Sequence, residues 1–274
     1  MMGRRWEKFV GIGISVGARP PGIGALNRIT NRLNRSFEKL ASGSWIPRAS
    51  ADAAGLAISE TLKALTASLS QGVRNLNDGI SVTRIAEGAL QEDSNVLIRL
   101  RELSVQSQNG TLNSGQRQII QQEFDQLTAQ LDSVAANTSF NGQNVLDGSS
   151  SIDIVDGTSG QPTTIAAGDH SASALGVQGL DASDPATLDA IDQATQSVSA
   201  SRAALGATEN RLESQIRSQS IAIENTVRAN SQIRDTDFAK ESSELLRNQI
   251  LKKANISLRA QANVNASVAL RLLA

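Results

Sequence analysis

Apolar side chains recur at helical spacing over two long stretches of this chain. Ile58, Leu62, Leu65, Leu69, Val73, Leu76 and Ile80 follow one another at steps of three and four, and the pattern resumes through Ile85, Ala89, Leu97, Leu100 and Leu103. A strand would alternate at two, so one helix is expected to run straight through Asn77-Asp78-Gly79, a sequence that elsewhere reads as a turn. Gly72, Gly79 and Gly88 then become helix-interior glycines, each costing about 1 kcal/mol against alanine. Such costs imply compensation in the tertiary structure or a neighbour that approaches closely. Further on, Ile191, Val198, Leu205 and Leu212 are spaced by seven. Ile216 and Ile223 repeat that spacing after a step of four, which is the seam of a coiled coil. A helix from Pro185 to near Ile233 is predicted. Ile119, Ile120, Phe124, Leu127, Leu131 and Val134 predict another, entered after a break at Asn109-Gly110 and a turn at Asn113-Ser114-Gly115.

Proline and glycine frame these helices. Residues 48–161 and 186–274 hold no proline, whereas 148–185 mixes glycine, proline, serine and threonine with short alternating pieces such as the one around Ile152 and Ile154. Two amphipathic stretches lie at the ends, about 24–42 and about 236–273. Long helices with narrow apolar stripes cannot bury themselves alone. The expected fold is mainly α: an elongated antiparallel helical bundle or coiled-coil rod, with a short hairpin-and-loop insert and paired terminal helices. The corresponding segments are a divergent start (1–23), a terminal coiled-coil domain (24–49 with 234–274), a rod domain (50–147 with 186–233) and a surface insert (148–185).

Composition removes several classes of function. With 26 basic and 27 acidic residues the formal net charge is −1, which suggests neither nucleic acid nor an anionic membrane as partner. Only 3% of residues are aromatic, so burial must come from aliphatic seams. The absence of cysteine excludes disulfides and thiolate metal sites. His170 is the only histidine and sits among small residues with no helical His-Glu pair; it is expected to be a solvent-exposed loop residue, with no catalytic, metal or cofactor site around it. Asp181, Asp184, Asp189 and Asp192 lack calcium-loop spacing and read as charge at a helix N-terminus. No apolar run reaches the length of a membrane span. Residues 1–22 combine a basic start with a short apolar stretch, as a signal peptide does, and Gly11, Gly13 and Gly17 miss the dinucleotide fingerprint by one residue.

Seven segments in order, SADAAGLAIS (50–59), NLNDGIS (75–81), AEGAL (86–90), LRELSVQSQNGT (100–111), SFNGQNVLDG (139–148), RDTDFAKES (234–242) and NQILKKANISLRAQAN (248–263), closely resemble bacterial flagellin. The resemblance covers about 25–148 and 186–274. It implies a structural subunit of an extracellular flagellar filament, without catalytic activity or cofactor. It further implies export in an unfolded state through the flagellar type III channel, with an export chaperone at the C-terminal region and cap and hook-junction proteins as further partners. In the family the paired terminal helices form an inner tube. Leu26, Ile29, Leu33, Phe37, Leu40, Leu245, Ile250, Leu258, Val264, Val268 and Leu272 are the residues expected to drive polymerisation there.

Two features depart from the family pattern. The variable outer domains of larger flagellins are nearly absent, and residues 1–21 look unrelated to the usual start. In many flagellins the surface matching LIRLRELSVQ is recognised by an innate-immune Toll-like receptor when the subunit is monomeric. Arg99, Leu103 and Glu123 stand at the positions that resemble its contacts, and the same residues would otherwise make axial contacts between rods. The rival readings are a hook-filament junction protein of the same superfamily, a filament-borne peptidase and a non-flagellar coiled-coil scaffold. The peptidase would need a His-Glu-x-x-His helix that this sequence lacks.

Overall fold

The computed structural model describes residues 23–148, 151–157 and 162–273, with side chains from residue 24 to 265 and at 267 and 268 within those ranges. The two readings of residues 1–22 lie outside the described residues. Five helices carry the fold: α1 (Ile23–Ser42), α2 (Ala53–Ser107), α3 (Ser114–Asn137), α4 (Pro185–Arg234) and α5 (Phe238–Leu273). Two small antiparallel pairs accompany them, β1 (Ser139–Phe140) with β2 (Gln143–Asn144) and β3 (Ile152–Val155) with β4 (Pro162–Ile165). Helix α2 passes through Asn77-Asp78-Gly79 without a break, as its period requires. The chain divides into two compact units, one formed by the segments up to Glu60 and from Asn230 onward, the other by Thr61–Ala229.

In the central unit α2 and α4 run antiparallel, and the ion pairs record the register. Arg84 pairs with Glu209 at 2.8 Å; Arg101, seventeen residues further along α2, pairs at 2.9 Å with Asp192, seventeen residues earlier on α4. The core between α2, α3, α4 and the insert holds Leu76, Leu90, Leu97, Leu100, Phe124, Leu131, Ile191, Leu205 and Leu212. The heptad of α4 continues in strict sevens through Gln219 and Thr226, both buried, while Ile216 and Ile223 are only half-buried. Periodicity placed the seam correctly and then followed hydrophobicity off it. On α2 the expected stripe also drifts: Ile58, Leu65 and Ile85 are exposed, and the buried line after Ile80 runs through Val82, Ala86, Leu90 and Asp93. The exposed Ile119 leaves Ile120 and Phe124 to carry the inward face of α3. Asn113 proves to be the N-cap of α3, in a reciprocal capping box with Gln116.

The insert docks on the helices through main-chain carbonyls. Asn75 Nδ2 donates to Val155 O at 3.0 Å, Gln219 Nε2 to Asp156 O at 2.7 Å and Ser68 Oγ to Gly157 O at 2.8 Å. Gly72 makes this possible, because a Cβ built there would lie 1.9 Å from the Asp156 oxygen. Gly79 gives similar room to Ile154, while Gly88 faces open space. Two of the three costly glycines are thus compensated inside the chain.

His170 corrects the expectation of an exposed loop residue. It is 2% exposed, with its Nε2 donating to Ala167 O at 2.7 Å. Its main-chain N–H bonds to Leu146 O at 2.9 Å, so both main chain and ring are tied to neighbouring carbonyls. Burial pushes its pKa down, opposed by the Ala167 carbonyl and Asp169.

Candidate assembly surface

The terminal unit pairs α1 with α5 in antiparallel fashion. Lys39, near the end of α1, reaches Glu241 at the start of α5 at 3.7 Å, while a groove further back along α1 is lined by Leu33 and Phe37 together with Lys252 and Ile256. The linkers lock this pair: Trp45 N–H donates to Arg234 O at 2.6 Å and Thr236 N–H to Gly43 O at 3.0 Å. Lys39 Nζ lies 3.2 Å from the centre of the Trp45 ring. Beside them a cavity of about 460 Å³ is bordered by Arg35, Glu38, Arg48 and Asp52.

Helix α1 presents Ile29, Leu33 and Ser36 to the pair, all buried and spaced for one face. Helix α5 answers with polar residues. Glu241 and Asn248 are buried, and Lys252, Asn255 and Arg259 half-buried, at heptad steps that keep them on the inner side with Leu245. The opposite side of α5 carries exposed aliphatic residues at both ends, Leu246 with Ile250 and Val264 with Val268, and the exposed Lys253, Ser257 and Gln261 between them. Ile250 is 66% and Leu258 69% exposed; Leu251 is exposed as well, and Ile256 borders the groove against α1. Charges stand on both sides of α5, Lys240, Glu244, Arg247 and Lys253 being exposed, but this many aliphatic side chains left in water mark a face awaiting cover.

The expected polymerisation residues therefore divide. Phe37, Ile250, Leu258, Val264 and Val268 are exposed; Leu26, Leu40 and Leu245 are half-buried; Ile29 and Leu33 are spent inside the chain, holding α1 to α5. Leu272 lies outside the described side chains. Sequence reasoning missed Phe238, Leu246, Leu251 and Ile256, all exposed. Plotting α5 around its axis places Leu246 with Ile250 on the outward side, while Ile256 borders the groove against α1 and Phe238 lies beside Gly43.

The second expected surface also divides. Arg99 forks between two carboxylates, 2.7 Å from Glu123 and 3.0 Å from Glu102, and these bonds raise its pKa, Glu123 foremost. Leu103 corrects the expectation of a surface contact: it is 1% exposed and packs in the core, one turn along α2 from Arg99 but rotated inward. Of the acidic cluster, Asp184 caps α4 by accepting from Ala186 N–H at 2.9 Å, and Asp181 accepts from the hydroxyl and N–H of Ser183, which lower its pKa. No group of residues suited to a metal ion occurs among the described residues, nor a helix long and apolar enough to cross a membrane.

Comparison with known proteins finds matches over both helical parts of the chain. Residues 24–151 match the family model of the bacterial flagellin N-terminal helical region, and residues 188–273 that of the C-terminal helical region. The chain is 37% identical to the flagellar filament 31.3 kDa core protein of Treponema maltophilum, covering 90% of this chain and 96% of that protein. It is 40% identical to a flagellin of Halalkalibacterium halodurans, covering 89% and 92%, and 36% identical to a flagellin of Bacillus subtilis, covering 92% and 97%.

Proposed function

Since this chain belongs to the bacterial flagellin family and is a structural subunit of the extracellular flagellar filament, we propose that the apolar outer face of α5 is what holds one copy to the next. The observation that carries this reading is the set of aliphatic side chains that α5 leaves in water, Leu246, Ile250, Leu258, Val264 and Val268. Each exposed Leu, Ile or Val that becomes buried contributes about 1.5–3 kcal/mol, so a handful per copy is enough for a stable polymer. The terminal domain (24–49 with 234–274) is the polymerising part, and the rod domain (50–147 with 186–233) adds lateral and axial contacts.

On the same reading the exposed Arg99–Glu123 pair belongs to an axial contact in the filament and to the Toll-like receptor surface of the monomer, with Leu103 shaping it from beneath. Export in an unfolded state, a chaperone on the C-terminal helix, and cap and hook-junction proteins complete the reading. The α5 stripe gives such a chaperone an apolar face to cover before assembly.

The test is seeded assembly. Purified chain is added to sheared filaments and followed by electron microscopy beside Ile250→Glu and Leu258→Glu. The wild type is expected to elongate and the variants to remain folded monomers. Elongation by both variants at the wild-type rate would overturn the reading.

A further inference from the structure

Asn109 and Gly110 form the exposed link that leads from α2 to α3. The side-chain oxygen of Asn109 accepts two hydrogen bonds from Thr111, from the main-chain N–H at 3.1 Å and from the hydroxyl at 3.0 Å. Its main chain is held as well: N–H donates to Gln106 O at 3.1 Å, and the carbonyl accepts from Leu112 N–H at 3.2 Å and from Arg117 Nη2 at 3.4 Å. The amide nitrogen Nδ2 bonds to no acceptor among the described residues, and neither does the Gly110 N–H. Gly110 has open space where a side chain would stand.

We infer that Asn109 is a self-modification site, at which the side-chain amide cyclises onto the Gly110 nitrogen and ends as aspartate or isoaspartate. The reaction brings the amide carbon against the following peptide nitrogen, which carries no hydrogen bond among the described residues and stands beside open space at Gly110. Once that nitrogen sheds its proton to solvent base, its lone pair forms a bond to Cγ, and charge collects on the very oxygen that faces both Thr111 donors. Those donors stabilise the oxyanion as any pair of aimed hydrogen bonds would. The Cγ–Nδ2 bond then breaks, ammonia leaves after taking up a proton, and a five-membered succinimide remains. Water adds to one of its two carbonyls and opens the ring, leaving aspartate or isoaspartate in place of the asparagine. No oxidant or cofactor is required. The product places a new carboxylate beside Arg117, and in the iso form lengthens the α2–α3 link by one main-chain methylene.

The chain carries its own comparator. Asn141–Gly142 is the other Asn-Gly pair in an exposed turn, but both residues are locked at positive φ, 49° and 79°, between the paired residues Phe140 and Gln143. The test ages the full chain at mildly alkaline pH and follows both sites by peptide mass mapping, with enzymatic methylation of isoaspartate as a second readout. Asn109 is expected to convert on the order of tenfold faster than Asn141, and Thr111→Val to slow Asn109 by a similar factor while leaving Asn141 unchanged. Gly110→Ala should slow Asn109 as well, and thermal melts confirm that each variant is folded. Equal conversion at the two sites, or wild-type ageing of Asn109 in Thr111→Val, would overturn the assignment.

Discussion

Replacing Asp93 with asparagine should make this chain more stable at alkaline pH and strip it of most of its pH dependence. Asp93 lies on α2 with no exposed surface, and neither carboxylate oxygen has a hydrogen-bond partner. Burial, aided by the neighbouring charge of Glu92, raises its pKa from 3.8 to about 7. In the unfolded chain the group loses its proton near the ordinary value. Between the two values the folded state binds more protons, so stability is greatest below the unfolded pKa and falls as pH rises through the folded one. That rise amounts to about 4 kcal/mol, a large share of the 5–15 kcal/mol typical of a domain. The assay is urea unfolding of the wild type and Asp93→Asn at about pH 4 and about pH 8, where the acid is neutral and ionised respectively. At the acidic end the two proteins should agree to within about 1 kcal/mol, since a neutral acid and an amide leave similar orphaned groups. At the alkaline end the variant should be the more stable by several kcal/mol. Parallel pH profiles would show that Asp93 is solvated or paired in solution and refute the reasoning.

Glycines on α2 give predictions of opposite sign. Gly72→Ala drives a methyl into the Asp156 carbonyl and should cost about 2–3 kcal/mol in thermal or urea melts, with loss of the hairpin's amide protection. Gly88→Ala meets nothing within 4 Å and should stabilise the monomer by up to about 1 kcal/mol; if it also blocks seeded growth, the open space at Gly88 is where another copy sits. Gln219→Ala removes the 2.7 Å bond to Asp156 and should speed hydrogen exchange in β3 and β4 with little change in α3, read by mass spectrometry.

The helices were legible because their apolar residues repeat at fixed steps, and α2 could be carried through Asn77-Asp78-Gly79 on that ground alone. What period could not give was the choice of inner face where polar residues occupy it. Gln219 and Thr226 complete the α4 heptad, and Glu241 and Asn248 the inner side of α5, yet none is apolar. Hydrophobicity therefore marked the exposed Ile250, Leu258, Val264 and Val268 but not the polar inner side of α5, and Ile29 and Leu33, expected at contacts between copies, are buried within the chain. His170 failed for a related reason: small-residue composition suggested a solvated loop, while the ring is buried and bonded to the Ala167 carbonyl. The family resemblance supplied the function and the pairing of termini; it could not say which side of α5 faces out.

The most direct test of that assignment uses the absence of cysteine. A single Leu258→Cys chain carries one thiol, whose reactivity toward a water-soluble reagent can be measured in the monomer and again in seeded filaments. Leu258 is 69% exposed in the single chain, so rapid labelling of the monomer and strong protection in the filament are predicted. Filaments that form normally while the thiol stays as reactive as in the monomer would contradict the claim that the outer face of α5 joins the copies.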